Sequence, residues 1–160
     1  MSASCSGVRA ASLLPSLLII QNYCLDERRE PVPLKLKLTE GNKTKQVIFS
    51  KGMGTGCHKE YSIVYEIPPE TYDCFRCAVG LHSTLGIGGR IQVEVRFCGK
   101  TIFENIFDDK FQATYIKVSI FSGGPLELIV RDKTNNWMNP KNNIVWGESV
   151  LLKKPMSLKG

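Results

Sequence analysis

The sequence predicts an all-β fold, an antiparallel β-sandwich, and three observations support this prediction. Apolar and polar residues alternate strictly from Ile91 to Phe97, as in a strand that buries one face. Residues 82–89 contain three glycines, which suit a loop and not a helix interior. No segment shows convincing helical periodicity, and about nine short strands separated by turns are typical of a sandwich.

Short alternating segments recur along the chain, and each is predicted to be a strand. The strand at residues 34–38 turns its lysines toward water. A hairpin turn at Gly99-Lys100 joins the strand at 91–97 to its return at 101–103. Loops are predicted at 25–33, 104–110 and 132–143. The other predicted strands are 17–20, 46–49, 61–66, 75–79, 113–121, 126–131 and, as one last strand, 145–146 with 150–152.

The size of the chain predicts one domain. With 160 residues and 17.9 kDa, it can bury a core without disulfide bonds or metals. We predict a flexible N-terminus at residues 1–14, a single β-sandwich module at 15–153 and a C-terminal tail at 154–160. No apolar run approaches the roughly 20 residues that span a bilayer, so no transmembrane segment is predicted.

The N-terminal region leaves the localisation open between secreted and cytoplasmic. Arg9 precedes an apolar stretch at residues 11–20, which is compatible with a weak signal peptide. Against this interpretation, Pro15 interrupts the stretch, and no small-residue cleavage site follows it. We therefore interpret residues 17–20 as the first strand.

The chain is basic, with a net charge of +6 and a pI near 9.0. This charge invites a nucleic-acid interpretation, but the 21 Lys and Arg residues are spread along the whole chain. The densest group, at residues 35–45, is offset by Glu40. A positive surface that keeps the protein soluble is favoured, and nucleic acid is disfavoured as a partner.

The six cysteines are predicted to be buried free thiols. Cys74 and Cys77 form a C-x-x-C motif, which occurs in redox and zinc sites. A zinc site requires further ligands, and only Cys57 and His58 are available. Because Cys74 and Cys77 lie on opposite faces of a predicted strand, a bridge between them is disfavoured.

Nothing in the sequence predicts catalysis. The glycine-rich segment at residues 51–56 lacks the G-K-[ST] ending of a phosphate-binding loop. The serines lack a G-x-S-x-G setting, and the two histidines stand in no recognisable dyad motif. The acidic pair Asp108-Asp109 is typical of a solvated turn. The chain is predicted to be a non-enzyme.

Five motifs in register resemble the NPCBM domain and its galactose-binding-domain-like jelly-roll relatives. The resemblance covers residues 17–153. It implies a jelly-roll sandwich that recognises carbohydrate without catalysis, with a galactose-type glycan or a glycoprotein as partner. The motifs are an aromatic-x-Lys-Gly-hydrophobic-Gly segment at 49–54, Val-Gly-hydrophobic at 79–81, a glycine-led strand with a Gly-Lys turn at 89–103, Leu-x-Leu-x-Val-x-Asp at 126–132, and the late Trp146.

Three departures from the family pattern bear on the ligand. Gly56 stands where the family usually has a histidine, and His82 stands where it commonly has an acid. Residues 142–145 replace the Asp or His that tends to precede the late tryptophan. The resemblance therefore supports the fold more strongly than sugar binding, and these departures indicate a ligand preference that is altered or lost.

The candidate sugar-binding residues are an aromatic platform and a set of polar contacts. Trp137 lies in a polar loop with Asn135 and is the predicted platform; packing of Trp137 on the core is the alternative. His82 and Arg90 bracket the glycine-rich loop and are predicted to donate to sugar hydroxyls. Trp146 is a further candidate, although core packing is favoured for it.

The resemblance also implies a bound calcium ion near the end of the chain. Glu148 and Asp132 are the candidate ligands, although calcium needs six to eight oxygens. Two alternatives to sugar recognition stay open. One is a protein–protein interaction or structural module on the same fold, and the other, less favoured, is a basic nucleic-acid-binding protein.

Overall fold

The protein is all-β, as the sequence predicts. The computed structural model describes residues 8–9, 23–136, 138 and 140–153, which form twelve strands and no helix. Within these residues, no helix is present that could cross a membrane. The strands are β1 (Val8–Arg9), β2 (Tyr23–Leu25), β3 (Pro31–Glu40), β4 (Lys43–Phe49), β5 (Gly52–Gly56), β6 (Glu60–Ile67), β7 (Cys74–Leu81), β8 (Ile91–Phe97), β9 (Lys100–Phe107), β10 (Ala113–Ser119), β11 (Gly124–Asp132) and β12 (Asn143–Leu152).

The strands form two sheets that face each other in a sandwich. The larger sheet has the order β1-β12-β7-β10-β3-β2, with β4 added beside β3 and β5 beside β12. The smaller sheet has the order β6-β11-β8-β9. All pairings are antiparallel except a single parallel contact between Leu38 of β3 and Ala113 of β10. The predicted antiparallel sandwich is confirmed.

The main core lies between the two sheets. It forms because alternate residues of each strand point inward. Ile91, Val93 and Val95 of β8 are fully buried there and pack in one cluster with Phe75 of β7 and Trp146 of β12. Each such large apolar side chain contributes roughly 1.5–3 kcal/mol through burial.

A second core lies on the outer face of the larger sheet. The hairpin β3–β4 folds over that face, and Leu34, Leu36 and Phe49 pack against small residues of β7, β10 and β12. Gly147 is essential to this packing because a Cβ atom there would lie 2.7 Å from the Phe49 ring. The sandwich thus carries a third, smaller layer.

Several sequence-based boundaries are wrong. Residues 52–56, given no strand in the sequence analysis, form β5, because their glycines allow close packing against β12. β9 continues to Phe107 through the predicted loop, with Ile102 and Ile106 exposed. The predicted loop at 25–33 is shorter in the structure, because Leu25 ends β2 and residues 31–33 begin β3. The predicted strand at 17–20 lies outside the described residues.

The five described cysteines are free, and four of them are buried. Burial raises the pKa of both Cys24 and Cys57 to about 11, so the reactive thiolate is scarce at neutral pH. Among the described residues, no group of three or more His, Cys, Asp and Glu side chains is arranged to hold a metal ion. Cys74 and Cys77 on β7 therefore have no described partners for a zinc site.

Candidate functional site

Three loops meet at one end of the sandwich and enclose an open cleft of about 600 Å³. They are the loops that connect β7 to β8, β9 to β10 and β11 to β12. We call this the rim cleft. Two of the predicted contacts, Arg90 and Asn135, line it together. Its lining residues are Gly88, Gly89, Arg90, Asp108, Asp109, Lys110, Lys133, Thr134, Asn135 and Asn136.

The backbone of the rim cleft is held by one buried side chain, Asn142. Its amide nitrogen donates to the carbonyl oxygen of Cys57 at 3.1 Å and to Asp132 Oδ1 at 2.7 Å. Its amide oxygen accepts the N–H of Arg90 at 3.0 Å. With 2% of its surface exposed, Asn142 joins three loops that are distant in sequence. The loop positions are therefore fixed before any ligand binds.

The glycine-rich loop comes close to the segment before β12. An ideal Cβ atom at Gly89 would lie 2.5 Å from the carbonyl oxygen of Lys141, so only glycine fits there. Gly88 has a φ of 89°, a conformation that other residues adopt only with strain. Its N–H donates to Asp109 Oδ1 at 3.1 Å, which ties the loop to the far side of the cleft.

His82 lies under the same loop and is fully buried. Its Nε2 is 2.8 Å from the carbonyl oxygen of Pro33, and its Nδ1 accepts the N–H groups of Thr84 and Leu85. This pattern fits the neutral ring with the proton on Nε2. Burial lowers the pKa of His82, and nearby Lys35 lowers it further, against the opposing effect of the Pro33 carbonyl. The ring supports the loop from below and is not presented to solvent, contrary to what a direct sugar contact requires.

The two tryptophans of the prediction are in different situations. Trp146 is fully buried in the main core, and its indole N–H donates to the Tyr61 hydroxyl at 3.1 Å. That hydroxyl is 2.6 Å from Thr55 Oγ1. Trp146 therefore has the packing role that the sequence analysis favoured, and it does not line the rim cleft. Trp137 lies outside the described residues, so its role as platform stays a prediction.

The two candidate calcium ligands are not brought together. Asp132 Oδ1 accepts hydrogen bonds from Asn142 and from the N–H and hydroxyl of Thr134. Burial raises the pKa of Asp132, but these bonds lower it by more, and the net shift is downward. Glu148 is exposed at a bulge in β12, six residues beyond Asn142 and thus about 20 Å away along the strand. These two carboxylates do not form one site, and calcium binding itself stays a prediction.

A second cleft, of about 610 Å³, lies on the other side of the glycine-rich loop. Residues of the β2–β3 turn line it together with Leu85 and Ile87. Glu27 and Lys141 form a 3.5 Å ion pair there, in which the Glu27 side chain is largely exposed and that of Lys141 is partly buried. None of the predicted site residues within the described part of the chain lines this cleft, so the rim cleft is the better candidate.

Sequence reasoning missed Asn142 and Lys133. Asn142 was noted only as part of the segment that replaces the family's Asp or His before the late tryptophan. That departure was the available signal, because a polar residue beside a buried strand needs partners. No feature of the sequence indicates Lys133, because its position opposite Arg90 depends on the register of the strands.

A family model, described as the NPCBM/NEW2 domain, matches residues 26–152. The chain belongs to the NPCBM/NEW2 domain family. The matched region covers the rim cleft, the main core, the second core except Cys24, and strands β3 to β12. The resemblance inferred from the five motifs is confirmed.

Solved structures of CBM51 modules share the fold of this NPCBM/NEW2 domain. One is the CBM51 module of Clostridium perfringens GH95 in complex with methyl-galactose, with 24% identity, a TM-score of 0.66, and coverage of 83% of this chain and 87% of that one. Another is CBM51-2 with the INT domains of C. perfringens ZmpB in complex with GlcNAc, with 19% identity, a TM-score of 0.62, and coverage of 76% and 25%.

A third similar structure holds the M60 catalytic domain with the CBM51-1 and CBM51-2 domains of ZmpB. It has 18% identity and a TM-score of 0.70, and the match covers 91% of this chain and 15% of that one. The NPCBM/NEW2 domain thus spans a small part of that larger protein. No curated protein matches the chain significantly. The chain is therefore an NPCBM/NEW2 domain with the β-sandwich fold of the CBM51 modules.

Proposed function

We propose that this chain is a non-catalytic carbohydrate-binding module that holds a galactose-type glycan in the rim cleft. The observation that supports this most is the meeting of three loops at one end of the sandwich. Their contact places the exposed side chains of Arg90 and Asn135 in one open, polar cleft. Binding sites on β-sandwiches are commonly built from such loops, because the strands beneath hold them rigidly.

The chemistry of the cleft suits sugar hydroxyls. Asn135 offers an amide that both donates and accepts, and Arg90 offers several donors in a fixed plane. Trp137 follows Asn135 by two residues, and in this proposal its ring stacks on the apolar face of the sugar. His82 and Trp146 act from below, by fixing the glycine-rich loop and β12.

The acids of the cleft serve the loops and not a reaction. Asp108 Oδ1 accepts the N–H groups of Lys110 and Phe111, which closes the β9–β10 turn. Asp109 Oδ1 accepts the N–H of Gly88. Both carboxylates thus have structural partners, which supports binding without catalysis.

Titration calorimetry with methyl-galactose, lactose and GlcNAc tests the proposal, in calcium and again in EDTA. We expect millimolar or tighter binding of the galactosides. The variants W137A and N135A should each weaken it about fivefold, since one stacking or hydrogen-bonding partner contributes on the order of 1 kcal/mol. Y115A is the matched control, because Tyr115 is a half-exposed aromatic on the outer face of β10.

The outcomes separate the candidate functions. Loss of binding in EDTA would support the calcium prediction as well. Binding by W137A and N135A at wild-type strength would place the sugar elsewhere and overturn the assignment of the cleft. No binding to any of the three sugars, nor to a wider glycan panel at millimolar concentration, would favour a protein-interaction or structural module on the same fold.

A further inference from the structure

We infer that the rim cleft selects a sugar residue that carries an anionic group, a carboxylate or a sulfate, and that Arg90 and Lys133 recognise this group. The inference rests on the proposed function, because it names the class of sugar that the same site takes. It depends on the register of β8 and β11 and on the charges that this register brings together.

The register places two cations directly opposite each other. β8 and β11 pair antiparallel up to Ile91 and Asp132. One residue further, the N–H of Lys133 donates to the carbonyl oxygen of Arg90 at 2.9 Å. Arg90 and Lys133 are thus cross-strand neighbours whose side chains leave the same face of the sheet, and both are exposed.

Like charges directly opposite each other in a ladder are destabilising. Elsewhere on this face, the protein neutralises its arginines. Arg96 forms an ion pair with Glu94 at 2.6 Å, and Arg131 forms ion pairs with Glu60 at 2.6 Å and Glu94 at 2.9 Å. Among the described residues, neither Arg90 nor Lys133 forms an ion pair.

The two acids that line the cleft near this pair accept hydrogen bonds from backbone N–H groups of the loops. Asp108 lies on the other side of Arg90, one residue beyond the paired Phe107. Its Oδ1 closes the β9–β10 turn by accepting two backbone N–H groups. Asp109 accepts the N–H of Gly88. Lys110 adds a third cation to the lining, so the cleft carries three cations and two acids that already have hydrogen-bond donors.

The backbone of Arg90 is held in place at both polar groups. Its N–H donates to the buried side chain of Asn142, and its carbonyl oxygen accepts from Lys133. The backbone that carries the Arg90 side chain is therefore held in a fixed position at the floor of the open cleft. A carboxylate or a sulfate offers two oxygens in the geometry that a guanidinium binds through two parallel hydrogen bonds, and an adjacent ammonium adds a point charge.

The expected gain is moderate, because exposed ion pairs are weak and are screened by salt. We expect an acidic sugar to bind about five to thirty times more tightly than its neutral counterpart at 50 mM salt. Raising the salt to 500 mM should shrink that ratio severalfold, while the affinity for the neutral sugar should hardly change.

The experiment compares matched probes by calorimetry on the whole chain. The pairs are lactose against sialyl-lactose, for a carboxylate, and galactose against galactose 6-sulfate, for a sulfate. The variant K133Q should reduce the acidic-to-neutral ratio toward one and leave binding of the neutral sugar nearly unchanged. The variant R90Q should also reduce the ratio toward one, and it should weaken binding of the neutral sugar as well, because Arg90 is a proposed donor to sugar hydroxyls. R90K should retain part of the ratio. K100Q, at the opposite end of β8 and β9, makes the same change in net charge and should retain all of it.

Thermal melts test whether the variants fold. We expect them to fold, because both side chains are exposed and the backbone of Arg90 makes its contacts with Asn142 and Lys133. Equal binding of neutral and acidic probes would overturn the inference and leave the proposed function standing. A preference for the acidic probes that both R90Q and K133Q retain would also overturn the inference and leave the proposed function standing. Tighter binding of single-stranded DNA than of every acidic sugar would overturn it in favour of nucleic acid. No binding of any sugar, neutral or acidic, would overturn the inference and the proposed function together.

Discussion

Asn142 is a single buried amide on which the geometry of the rim cleft depends. Each of its polar groups has a partner: the carbonyl of Cys57, the carboxylate of Asp132 and the N–H of Arg90. Removing this side chain would leave the Cys57 carbonyl and the Arg90 N–H without the partner that it supplies, in a region from which water is largely excluded. Asp132 would keep only its hydrogen bonds from Thr134. An unsatisfied buried group costs about 1–3 kcal/mol, so substitutions here should affect stability and the cleft together.

We expect N142A to lower the free energy of unfolding by about 2 to 4 kcal/mol in urea denaturation at pH 7. N142D should be worse, although it is nearly isosteric, because it turns an acceptor toward the Cys57 carbonyl and places a second carboxylate beside Asp132.

The pH dependence of the stability of N142D, compared with that of N142A, provides the control for this prediction. In N142D the pKa of the new carboxyl should be raised by its acidic neighbour, so its deficit relative to the wild type should shrink as the pH falls toward 4. The deficit of N142A should stay constant over the same range. An N142D variant as stable as the wild type at pH 7 would contradict the role given to Asn142.

At the scale of elements, a charged cluster joins three strands of the smaller sheet on its outer face. Glu94 of β8 is 3% exposed and accepts hydrogen bonds from Arg96, from Thr101 of β9 and from Arg131 of β11. The bond from Arg96 and then those from Thr101 and Arg131 hold the pKa of Glu94 at about 2. The cluster stabilises the sheet only while Glu94 is ionised.

Acid should therefore weaken this sheet in a defined range. A carboxyl whose pKa is lowered on folding stabilises the protein above its ordinary pKa near 4.5, and this contribution is lost as the pH falls toward 2. We expect E94Q to cost roughly 1 to 3 kcal/mol at pH 7, discounted for the partial exposure of Arg96 and Arg131. The difference between E94Q and the wild type should shrink between pH 5 and pH 2 in urea denaturation.

Glu104 provides the matched control for this prediction. It lies directly opposite Glu94 in the β8–β9 ladder and is exposed. E104Q removes the same charge and also a like-charge neighbour, so it should be neutral or slightly stabilising at pH 7. A gap between E94Q and the wild type that does not change with pH would show that the cluster does not depend on ionised Glu94.

The strands that the sequence predicts well are those with one buried and one solvated face. Residues 91–97 and 126–131 alternate, and both predicted strands are confirmed; the structure places them in the smaller sheet. β5 was missed because its glycines carry no alternation. The end of β9 was missed because its outer residues include exposed isoleucines beside acids, a mixture that also occurs in loops.

The site was less predictable than the strands. Arg90 and Asn135 could be selected because loops at one end of a sandwich converge. The burial of His82 depends on Pro33, which lies 49 residues earlier in the chain, and no local pattern reports such a contact. The pairing of Arg90 with Lys133 depends on a register that one residue's shift would reverse. Contacts of this kind become visible only when the chain is folded.

At the scale of the whole molecule, the two cores differ greatly in size. Among the described residues, 24 are buried in the main core and eight in the second core. β3 is joined to β10 by a single pair of residues, Leu38 and Ala113. A small core with few sheet contacts loses fewer apolar contacts and backbone hydrogen bonds when it opens than the sandwich beneath it does, so its opening requires less free energy. The β2–β4 layer should therefore open as a separate, less stable unit.

Two buried thiols can report the opening of each core separately. Cys24 lies in the second core and Cys77 in the main core. Burial raises the pKa of both thiols, so labelling by a thiol reagent at neutral pH should require opening of the surrounding structure.

In a C5S/C98S background, we expect native-state labelling, read by peptide mass spectrometry, to give a lower opening free energy at Cys24 than at Cys77. The difference should exceed about 1 kcal/mol, with a weaker urea dependence at Cys24, because a partial opening exposes less surface. The same opening free energy and the same urea dependence at both thiols would contradict this prediction, since the two cores would then unfold as one cooperative unit.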